Sequence, residues 1–586
     1  MNYFLRYQRL ILICILIIAA VLRFGLLWRG DPINDEVLMA FRAIGLVDFD
    51  EAEVQTTPME WFDSGARVAP NIPDTYRIGT GIPWWVRISW HDQPPLVFLT
   101  QNFFMRVFGE HPWAFRFPSA LLGIASVYLV YLIGRKIFAR ESNSQVGVGL
   151  PGEFAGLFSA LFYAITLNAV YISRTGMQEP YVIFFILWTI YALLRAREQK
   201  SFYILAGIAL GLGILSKYTA FFLGVPLTIT WILWHDRAAF VSKYFWIGVA
   251  FVLLFISPII VYNIGLYRAV EHFDFQFSYI FRQTHPVWQV EPGKDIGTIT
   301  NRLHNFIPRL IATNSWVFLG LFVASIIGFL WRLLKSFRAT LQQYAFLLLW
   351  FGATLLLLLA IGPAYRFLTM LTPLMALSAG YFLSFFLQSR HSSSSRELLR
   401  QLFFTAIIVF EIFYSWNNQI AYYPKGPEPW LASKVRYENY NWGYNELDAY
   451  FENEFSGRIP ALTFDLRYVF LEKFRQAAID DGLRKGYAPF PALVITYGNF
   501  DKAGKLWALD RLHIYHAWPV ISLSDYYDYL KTNGADFYTR SGFKNFYFVI
   551  PINTVSAPEF SQLITGIVPI EIKNPRGDTA FLTYKK

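Results

Sequence analysis

Long apolar segments separated by short polar gaps dominate the first 420 residues of the chain. Apolar segments of roughly 17–25 residues are long enough to cross a bilayer as helices. The segment 94–108 has helical spacing but is too short to span, which predicts an interfacial helix. About eleven predicted spans lie near residues 9–28, 113–134, 153–172, 180–195, 202–216, 218–234, 244–265, 309–331, 344–361, 366–388 and 400–420.

The pattern changes after residue 421, where Pro424, Pro427 and Pro429 mark a linker. Beyond it, short strand-like segments alternate with helical stretches, a pattern typical of an α/β domain. The strand-like segments are 461–464, 492–497, 546–550 and 580–584, and the helical stretches are 469–480 and 524–532. The sequence therefore predicts a transmembrane domain over 1–420, whose first extracytoplasmic loop is 29–112, and an extracytoplasmic α/β domain over 421–586.

Composition and charge support this membrane class. The chain is 55% hydrophobic and only 16% charged, whereas soluble domains are nearer a quarter charged. Basic residues fall in alternate gaps, so we interpret the net charge of +10 as the positive-inside pattern rather than as nucleic-acid binding. This predicts a multi-pass protein of the plasma (inner) membrane with a cytoplasmic N-terminus and an extracytoplasmic C-terminal domain. The single cysteine, Cys14, excludes an internal disulfide.

Two adjacent carboxylates, Asp35 and Glu36, follow the first predicted span. Ionisable groups at a membrane boundary are costly unless they are hydrated, paired or functional. A carboxylate there can take the proton from an acceptor hydroxyl as a glycosidic bond forms. The alternative is a pair of helix-end acids that contact headgroups or solvent.

Three more charged residues lie at the predicted outer ends of spans. Glu179 could orient a substrate or share a proton with Asp35. The alternative is that Glu179 and Pro180 only begin the fourth span, since an acid and a proline suit a helix N-terminus. Lys217 and Arg366 lie in tight outer turns, against the positive-inside trend. Cations at this position suit a departing phosphate group. The alternative is contact with outer-leaflet headgroups.

Signals for cofactors are weak. The histidines His91, His272, His285 and His304 lack the spacing of metal ligands, so no cofactor is expected to be required, and a divalent metal is not indicated. Glycine-rich phosphate loops and nucleophile motifs are also missing from the sequence, which disfavours nucleotide hydrolysis and dinucleotide chemistry.

Five stretches, in this order, resemble the polyprenyl-phosphate-sugar-dependent glycosyltransferases of the GT-C fold. That family includes dolichyl-phosphate-mannose protein mannosyltransferases and bacterial aminoarabinose transferases. The stretches are Asn34-Asp35-Glu36; His91-Asp92-Gln93-Pro94-Pro95-Leu96 with Phe108-Gly109 and Arg116-Phe117-Pro118-Ser119; Ser173-Arg174 to Glu179; Gly211 to Lys217; and Tyr365-Arg366-Phe367-Leu368 with Pro373. Gln93 departs from the aminoarabinose transferases, which usually carry lysine there.

The resemblance implies a membrane glycosyltransferase that moves one sugar, with inversion, from a polyprenyl-phosphate donor to an extracytoplasmic lipid, glycan or protein acceptor. It implies these roles: Asp35 as general base, Glu36 and Glu179 as supporting catalytic acids, Arg174, Lys217 and Arg366 as ligands of the donor phosphate, and His91, Asp92 and Gln93 as substrate-binding residues.

Two other functions remain open from the sequence. The first is a membrane transporter or flippase, and the second is a transferase that uses a pyrophosphate-linked oligosaccharide donor. Transporters usually show internal repeats and polar groups at mid-membrane. Here the ionisable residues concentrate at the outer ends of spans, which favours the enzyme.

Overall fold

The computed structural model describes residues 7–32, 34–51, 55–64, 81–138, 152–283, 297–387, 394–555 and 557–586. The chain forms two compact units. The membrane unit comprises Met1–Trp28 and Ile88–Tyr437, and the sheet unit comprises Arg29–Arg87 and Glu438–Lys586. The structure thus groups residues 29–87 with the C-terminal part of the chain, whereas the sequence analysis assigns them to the transmembrane domain. The predicted boundary at residue 420 stays a prediction.

Helices, joined by turns and irregular segments, make up the described part of the membrane unit. Its α-helices are Gln8–Phe24, Leu96–Phe108, Pro112–Phe138, Gly152–Ile165, Leu167–Ser173, Glu179–Ala196, Phe202–Ser216, Thr219–His235, Lys243–Val270, Phe275–Ile280, Ile299–Thr313, Trp316–Lys335, Phe337–Ile361, Tyr365–Leu368, Thr372–Leu387 and Ser394–Gln419. The predicted interfacial helix corresponds to Leu96–Phe108.

Seven of the described helical segments are long and apolar enough to cross a membrane, or eight if one bent pair counts as a span. Three further apolar helices are shorter. The prediction of a polytopic helical membrane protein is therefore confirmed, while the number eleven stays a prediction. The helical segments that qualify are Pro112–Phe138, Glu179–Ala196, Lys243–Val270, Trp316–Lys335, Tyr344–Ile361, Tyr365–Ser384 and Glu397–Gln419.

Two predicted spans are interrupted. Within 153–172 the helix bends by 61°, because Thr166 adopts an extended backbone between Gly152–Ile165 and Leu167–Ser173. The predicted span 309–331 begins too early: Asn314 is extended, and Ser315 starts a new helix by accepting the Phe318 N–H at 3.0 Å. Local hydroxyl and amide caps of this kind end one helix and start the next, and hydropathy does not report them.

Close helix crossings in the membrane unit depend on glycine. Gly207 of Phe202–Ser216 faces the backbone of Gly248 in Lys243–Val270, and a Cβ added at Gly207 would overlap the Gly248 carbonyl. Small residues at such crossings let two backbones approach and gain packing contacts that lipid cannot replace. This crossing holds the helix that ends beside Lys217.

The sheet unit has a mixed five-stranded sheet and a separate two-stranded parallel pair. The strands are β1 Arg458–Pro460, β2 Ala488–Phe490, β3 Ala492–Thr496, β4 Val520–Ser522, β5 Asn545–Pro551, β6 Ile570–Lys573 and β7 Thr579–Lys585. The order of the larger sheet is β4-β3-β5-β7-β6, with β3 parallel to β4 and β5, and β7 antiparallel to β5 and β6. The strand predicted at 461–464 is wrong, because the local strand ends at Pro460 and pairs with β2.

Helices cover both faces of the larger sheet. On β3, Val494 belongs to one apolar core, whereas Leu493 and Ile495 belong to the other. A strand buried on both faces is typical of parallel α/β pairing, and the C-terminal α/β prediction is confirmed in this respect. The α-helices of the unit are Asp35–Gly45, Pro58–Phe62, Tyr444–Glu454, Val469–Arg484, Lys502–Lys505, Arg511–His516, Leu523–Asn533, Phe537–Arg540 and Pro558–Leu563, with a π-helical turn at Leu506–Asp510.

A buried acid, Asp31, helps to explain why residues 29–87 pack with the C-terminal part. The Asp31 carboxylate accepts the backbone N–H groups of Trp442, Gly443, Tyr444 and Asn445 at distances of 2.6–3.1 Å. These donors lie at the start of the helix Tyr444–Glu454, where N–H groups have no partner within the helix. Asp31 therefore caps a helix that lies more than four hundred residues away in sequence.

Candidate functional site

A buried carboxylate meets two cations in the membrane unit. The Glu179 Oε1 atom lies 2.6 Å from Lys217 Nζ and 3.9 Å from Arg366 Nε. The Glu179 side chain is 2% exposed, whereas those of Lys217 and Arg366 are 19% and 29% exposed. The structure thus brings together three residues that the sequence analysis selected separately.

Helix ends position all three side chains. Glu179 is the first residue of Glu179–Ala196, with Pro180 in the first turn, and an acid there is favoured by the helix dipole. Lys217 follows the last residue of Phe202–Ser216. Arg366 lies in the short helix Tyr365–Leu368, after Gly362 breaks the preceding helix at a positive φ of 88°.

An aromatic ring holds the two cations near each other. Lys217 Nζ lies 4.9 Å from the centroid of the Phe367 ring, and the Arg366 guanidinium carbon lies 5.0 Å from it. A ring face attracts cations. The cluster therefore brings two partly exposed cations together, and cations of this kind suit a phosphate.

The predicted substrate-binding stretch 91–93 lies in the same unit. The Gln93 side-chain oxygen accepts a hydrogen bond of 2.9 Å from the Gln178 amide, and Gln178 directly precedes Glu179. The His91 side chain is 5% exposed, and its Nδ1 lies 3.8 Å from Asp92 Oδ1. A side-chain hydrogen bond thus ties Gln93 to Gln178, the residue that precedes Glu179 in the charged cluster.

Arg174 has a different environment from Lys217 and Arg366. Its guanidinium is buried and donates to the carbonyl groups of Leu22, Arg23, Gly25 and Leu26 at 2.7–3.1 Å. These carbonyls surround the end of the helix Gln8–Phe24, where C=O groups lack helical partners. The contacts are those of a helix-end clamp, and its predicted role as a phosphate ligand stays a prediction.

The carboxylate pair Asp35 and Glu36 belongs to the sheet unit. Asn34 caps the helix Asp35–Gly45, because its side-chain oxygen accepts the Glu36 N–H at 3.0 Å and its amide donates to Glu438 O at 3.1 Å. Asp35 is exposed, whereas Glu36 is fully buried. The two neighbours therefore differ in the property that a general base needs, which is access to a substrate.

The sequence analysis missed a polar network next to Lys217. The Tyr218 hydroxyl donates to Asp274 Oδ2 at 2.6 Å, and the Asn263 amide donates to the same oxygen at 3.0 Å. Burial raises the pKa of Asp274, while hydrogen bonds from Phe277 N–H and these two side chains oppose the rise. Asp274 lies in the fourth outer gap, but no motif marked it. Of the four histidines considered as ligands, His285 lies outside the described residues.

Comparison with protein families matches residues 92–262 to the family described as dolichyl-phosphate-mannose-protein mannosyltransferase. This segment contains Gln93, Glu179 and Lys217, but neither Asp35 nor Arg366. Two proteins of Bacillus subtilis (strain 168), YycA and YkcB, carry provisional mannosyltransferase names and are 33% and 27% identical over 154 residues. Each match covers 26% of this chain and about a fifth of the relative's length (21% and 20%).

Two solved structures match almost the whole chain. ArnT from Cupriavidus metallidurans, bound to undecaprenyl phosphate, gives a TM-score of 0.51 at 13% identity and covers 99% of this chain and 98% of its own. The archaeal oligosaccharyltransferase AglB from Archaeoglobus fulgidus, in complex with an inhibitory peptide and a dolichol-phosphate, gives 0.50 at 14% identity, covering 99% and 74%. Likeness at these identities concerns the fold.

Proposed function

We propose that this chain is a glycosyltransferase of the GT-C type and that it transfers a sugar from a polyprenyl-phosphate donor to an extracytoplasmic acceptor. The matched structures confirm the predicted GT-C fold. One observation carries the proposal: Lys217 and Arg366 both approach the Glu179 carboxylate. Glu179 begins one helix, and Lys217 directly follows the end of another. ArnT and AglB were solved with polyprenyl phosphates, and a phosphate is the group that such a cluster would bind.

In the proposed reaction, Asp35 takes the proton of the acceptor hydroxyl. The acceptor oxygen then attacks the anomeric carbon, and the bond from that carbon to the phosphate oxygen breaks with inversion. The phosphate leaves with the electron pair, and its charge is stabilised by Lys217 and Arg366. Glu179 holds the Lys217 ammonium in place, so that little reorganisation is needed as the charge develops.

The remaining predicted residues receive narrower roles. Gln93, tied to Gln178, is proposed to contact the sugar. His91 and Asp92 support the same stretch, and Glu36 supports Asp35 from within its helix. Arg174 is proposed to act on the fold rather than on the phosphate, since four carbonyls occupy its guanidinium.

The acceptor is a lipid, a glycan or a protein segment on the extracytoplasmic side. The enzyme would lie in the plasma (inner) membrane as a multi-pass protein with its N-terminus in the cytoplasm. This orientation rests on the alternation of basic gaps along the sequence. No metal is assigned a step in the reaction.

The test uses the full chain in lipid nanodiscs with a panel of polyprenyl-phosphate sugars, with and without a chelator. Release of polyprenyl phosphate by the wild type, and its loss in Asp35→Asn, would support the proposal. Glu397→Gln is the matched control, because Glu397 is likewise an exposed acid in the first turn of a helix. Wild-type turnover by Asp35→Asn would overturn the base assignment. Turnover only with pyrophosphate-linked oligosaccharides, or transport without cleavage, would overturn the proposed donor or reaction.

A further inference from the structure

The turn between Phe202–Ser216 and Thr219–His235 directs two consecutive side chains to two different carboxylates. Lys217 has an extended backbone (φ −164°, ψ 139°), whereas Tyr218 is helical (φ −60°, ψ −24°). Lys217 Nζ reaches Glu179, and the Tyr218 hydroxyl donates to Asp274. Because the residues are adjacent, the hydrogen bond at Tyr218 limits where the Lys217 backbone can lie.

Asp274 is itself held from several sides. Its backbone N–H donates to Asn263 Oδ1 at 2.8 Å, and the Asn263 amide donates back to Oδ2 at 3.0 Å. Its other oxygen caps the helix Phe275–Ile280 by accepting the Phe277 N–H at 2.9 Å. Asp274 is fully buried, so Tyr218 binds to an anchored acceptor rather than to a mobile surface group.

The contacts continue from Asp274 to the predicted substrate-binding stretch. Phe275 N–H donates to the His91 carbonyl at 2.8 Å, and the Gln276 amide donates to the Asp92 carbonyl at 3.0 Å. The next residue, Gln93, accepts from Gln178, which precedes Glu179.

Followed through the chain, these contacts form a closed ring. The ring runs from Glu179 to Lys217, Tyr218, Asp274, Phe275 and Gln276, the stretch 91–93, Gln178 and back to Glu179. All members lie in the membrane unit. A ring of this kind links the ammonium that would meet the phosphate to the glutamine that would meet the sugar.

We propose that Tyr218 and Asp274 are positioning residues, which set the location of the Lys217 ammonium relative to the bound donor phosphate without contacting the donor. The inference rests on the proposed function, in which Lys217 stabilises the leaving phosphate. Misplacement of a charged group by about 1 Å can cost on the order of 100-fold in rate. Removing the Tyr218 hydroxyl is therefore expected to lower kcat by about 10–100-fold and to leave KM for the acceptor unchanged.

The chain offers a close control at the other end of the same helix. The Tyr203 hydroxyl donates to Asp236 Oδ2 at 2.6 Å, and Lys200 pairs with that carboxylate. Tyr203→Phe thus removes an equivalent tyrosine–carboxylate hydrogen bond beside a lysine, at the opposite end of this helix from Lys217. It is expected to leave kcat unchanged.

The experiment compares Tyr218→Phe, Asp274→Ala, the double variant and Tyr203→Phe, with rates expressed per folded molecule. If the Tyr218–Asp274 hydrogen bond is the cause, Tyr218→Phe will lower kcat, and adding it to Asp274→Ala will lower kcat no further, because the effects of coupled residues are not additive. A purely structural role would lower the folded yield and leave kcat per folded molecule unchanged. That outcome, or independent multiplicative losses, would overturn the inference.

A second readout needs no substrate. Acylation of lysines by acetic anhydride, followed by mass spectrometry, reports how tightly Lys217 is held, with Lys200 as internal reference. Tyr218→Phe is expected to speed labelling of Lys217 but not of Lys200. If the wild type cleaves no donor but this change appears, the proposed function fails and the structural coupling stands. If the wild type turns over and neither kcat nor labelling changes in Tyr218→Phe, the positioning inference fails and the function stands.

Discussion

Lys217 Nζ lies 2.6 Å from Glu179 Oε1, and that carboxylate is almost completely buried at the start of its helix. Lys217 directly follows the helix Phe202–Ser216, and Lys200, which pairs with Asp236, lies just before that helix. One helix is thus bracketed by two lysine–carboxylate pairs. At the Lys217 pair, Arg366 Nε also lies 3.9 Å from the Glu179 carboxylate.

Replacement of Lys217 by methionine is expected to lower both activity and stability. Breaking a buried pair leaves an uncompensated charge and costs on the order of 3 kcal/mol. Loss of a cation that stabilises the departing phosphate is expected to lower kcat by at least about 100-fold. Donor-cleavage kinetics and melting temperature in nanodiscs measure the two effects.

Lys200→Met is the matched control. Lys200 is 39% exposed, and pairs with such exposed groups contribute about 0–1 kcal/mol. Donor turnover is expected to remain at the wild-type level. Equal loss of turnover in both variants would contradict the assignment of Lys217 to the phosphate.

Arg174 and Arg366 are expected to respond differently to substitution. Arg174→Met leaves several buried carbonyls without their donor, each worth about 1–3 kcal/mol, so folded protein is expected to be lost. Arg366→Gln removes a partly exposed cation, so folding is expected to survive while affinity for polyprenyl phosphate falls. Yield of monodisperse protein and carrier binding by native mass spectrometry separate the two. A folded Arg174→Met that binds the carrier poorly would restore Arg174 to the phosphate site.

Asp31→Asn is expected to destabilise the start of the helix Tyr444–Glu454. The carboxylate accepts four backbone N–H groups, whereas an amide presents a donor in place of one oxygen. A loss of about 2–4 kcal/mol follows from the unsatisfied donors. Faster hydrogen exchange at residues 442–445 measures it. Asp528→Asn, at a highly exposed acid 3.9 Å from Lys531, should change nothing.

Glu60 is expected to make the stability of the sheet unit fall with rising pH. Burial, followed by the charge of Asp50, raises the pKa of Glu60 from 4.5 to about 8. Between these two pH values the folded state keeps the Glu60 proton, whereas the unfolded state has lost it. The stabilising contribution of the protonated Glu60 carboxyl is therefore fully present below pH 4.5 and is lost as the pH rises through about 8. The full change is on the order of 3–5 kcal/mol.

Glu60→Gln tests this expectation. The amide oxygen can still accept the N–H groups of Thr56 and Thr57, which now bind Oε2 at 2.7 and 2.8 Å. The variant is expected to melt at a higher temperature than the wild type at pH 9, with the difference shrinking toward pH 5. A constant difference across this range would contradict the pKa assignment.

Sequence reasoning identified the charged residues of the cluster but could not rank them. Arg174 and Arg366 are both arginines near outer span ends, and only their surroundings distinguish them. Arg174 donates to four backbone carbonyls, whereas Arg366 is partly exposed and lies near the Phe367 ring and the Glu179 carboxylate. Asp35 and Glu36 are likewise two adjacent carboxylates that the sequence alone does not separate. Consecutive residues of a helix point in different directions, and here Asp35 is exposed while Glu36 is buried. No motif marked Asp274, and its contact with Tyr218 joins residues 56 positions apart in the chain.

By itself, the sequence determined the membrane class, the family resemblance, the α/β character of the C-terminal part and the identity of Glu179, Lys217 and Arg366 as candidates. These features depend on local length, periodicity and residue type, which the chain carries in order. Only the tertiary structure decided which charges meet, that residues 29–87 pack with the C-terminal part, and that Tyr218 and Asp274 close a ring beside Lys217. Such relationships depend on contacts between distant segments, and their energies come from burial and geometry that no local pattern records.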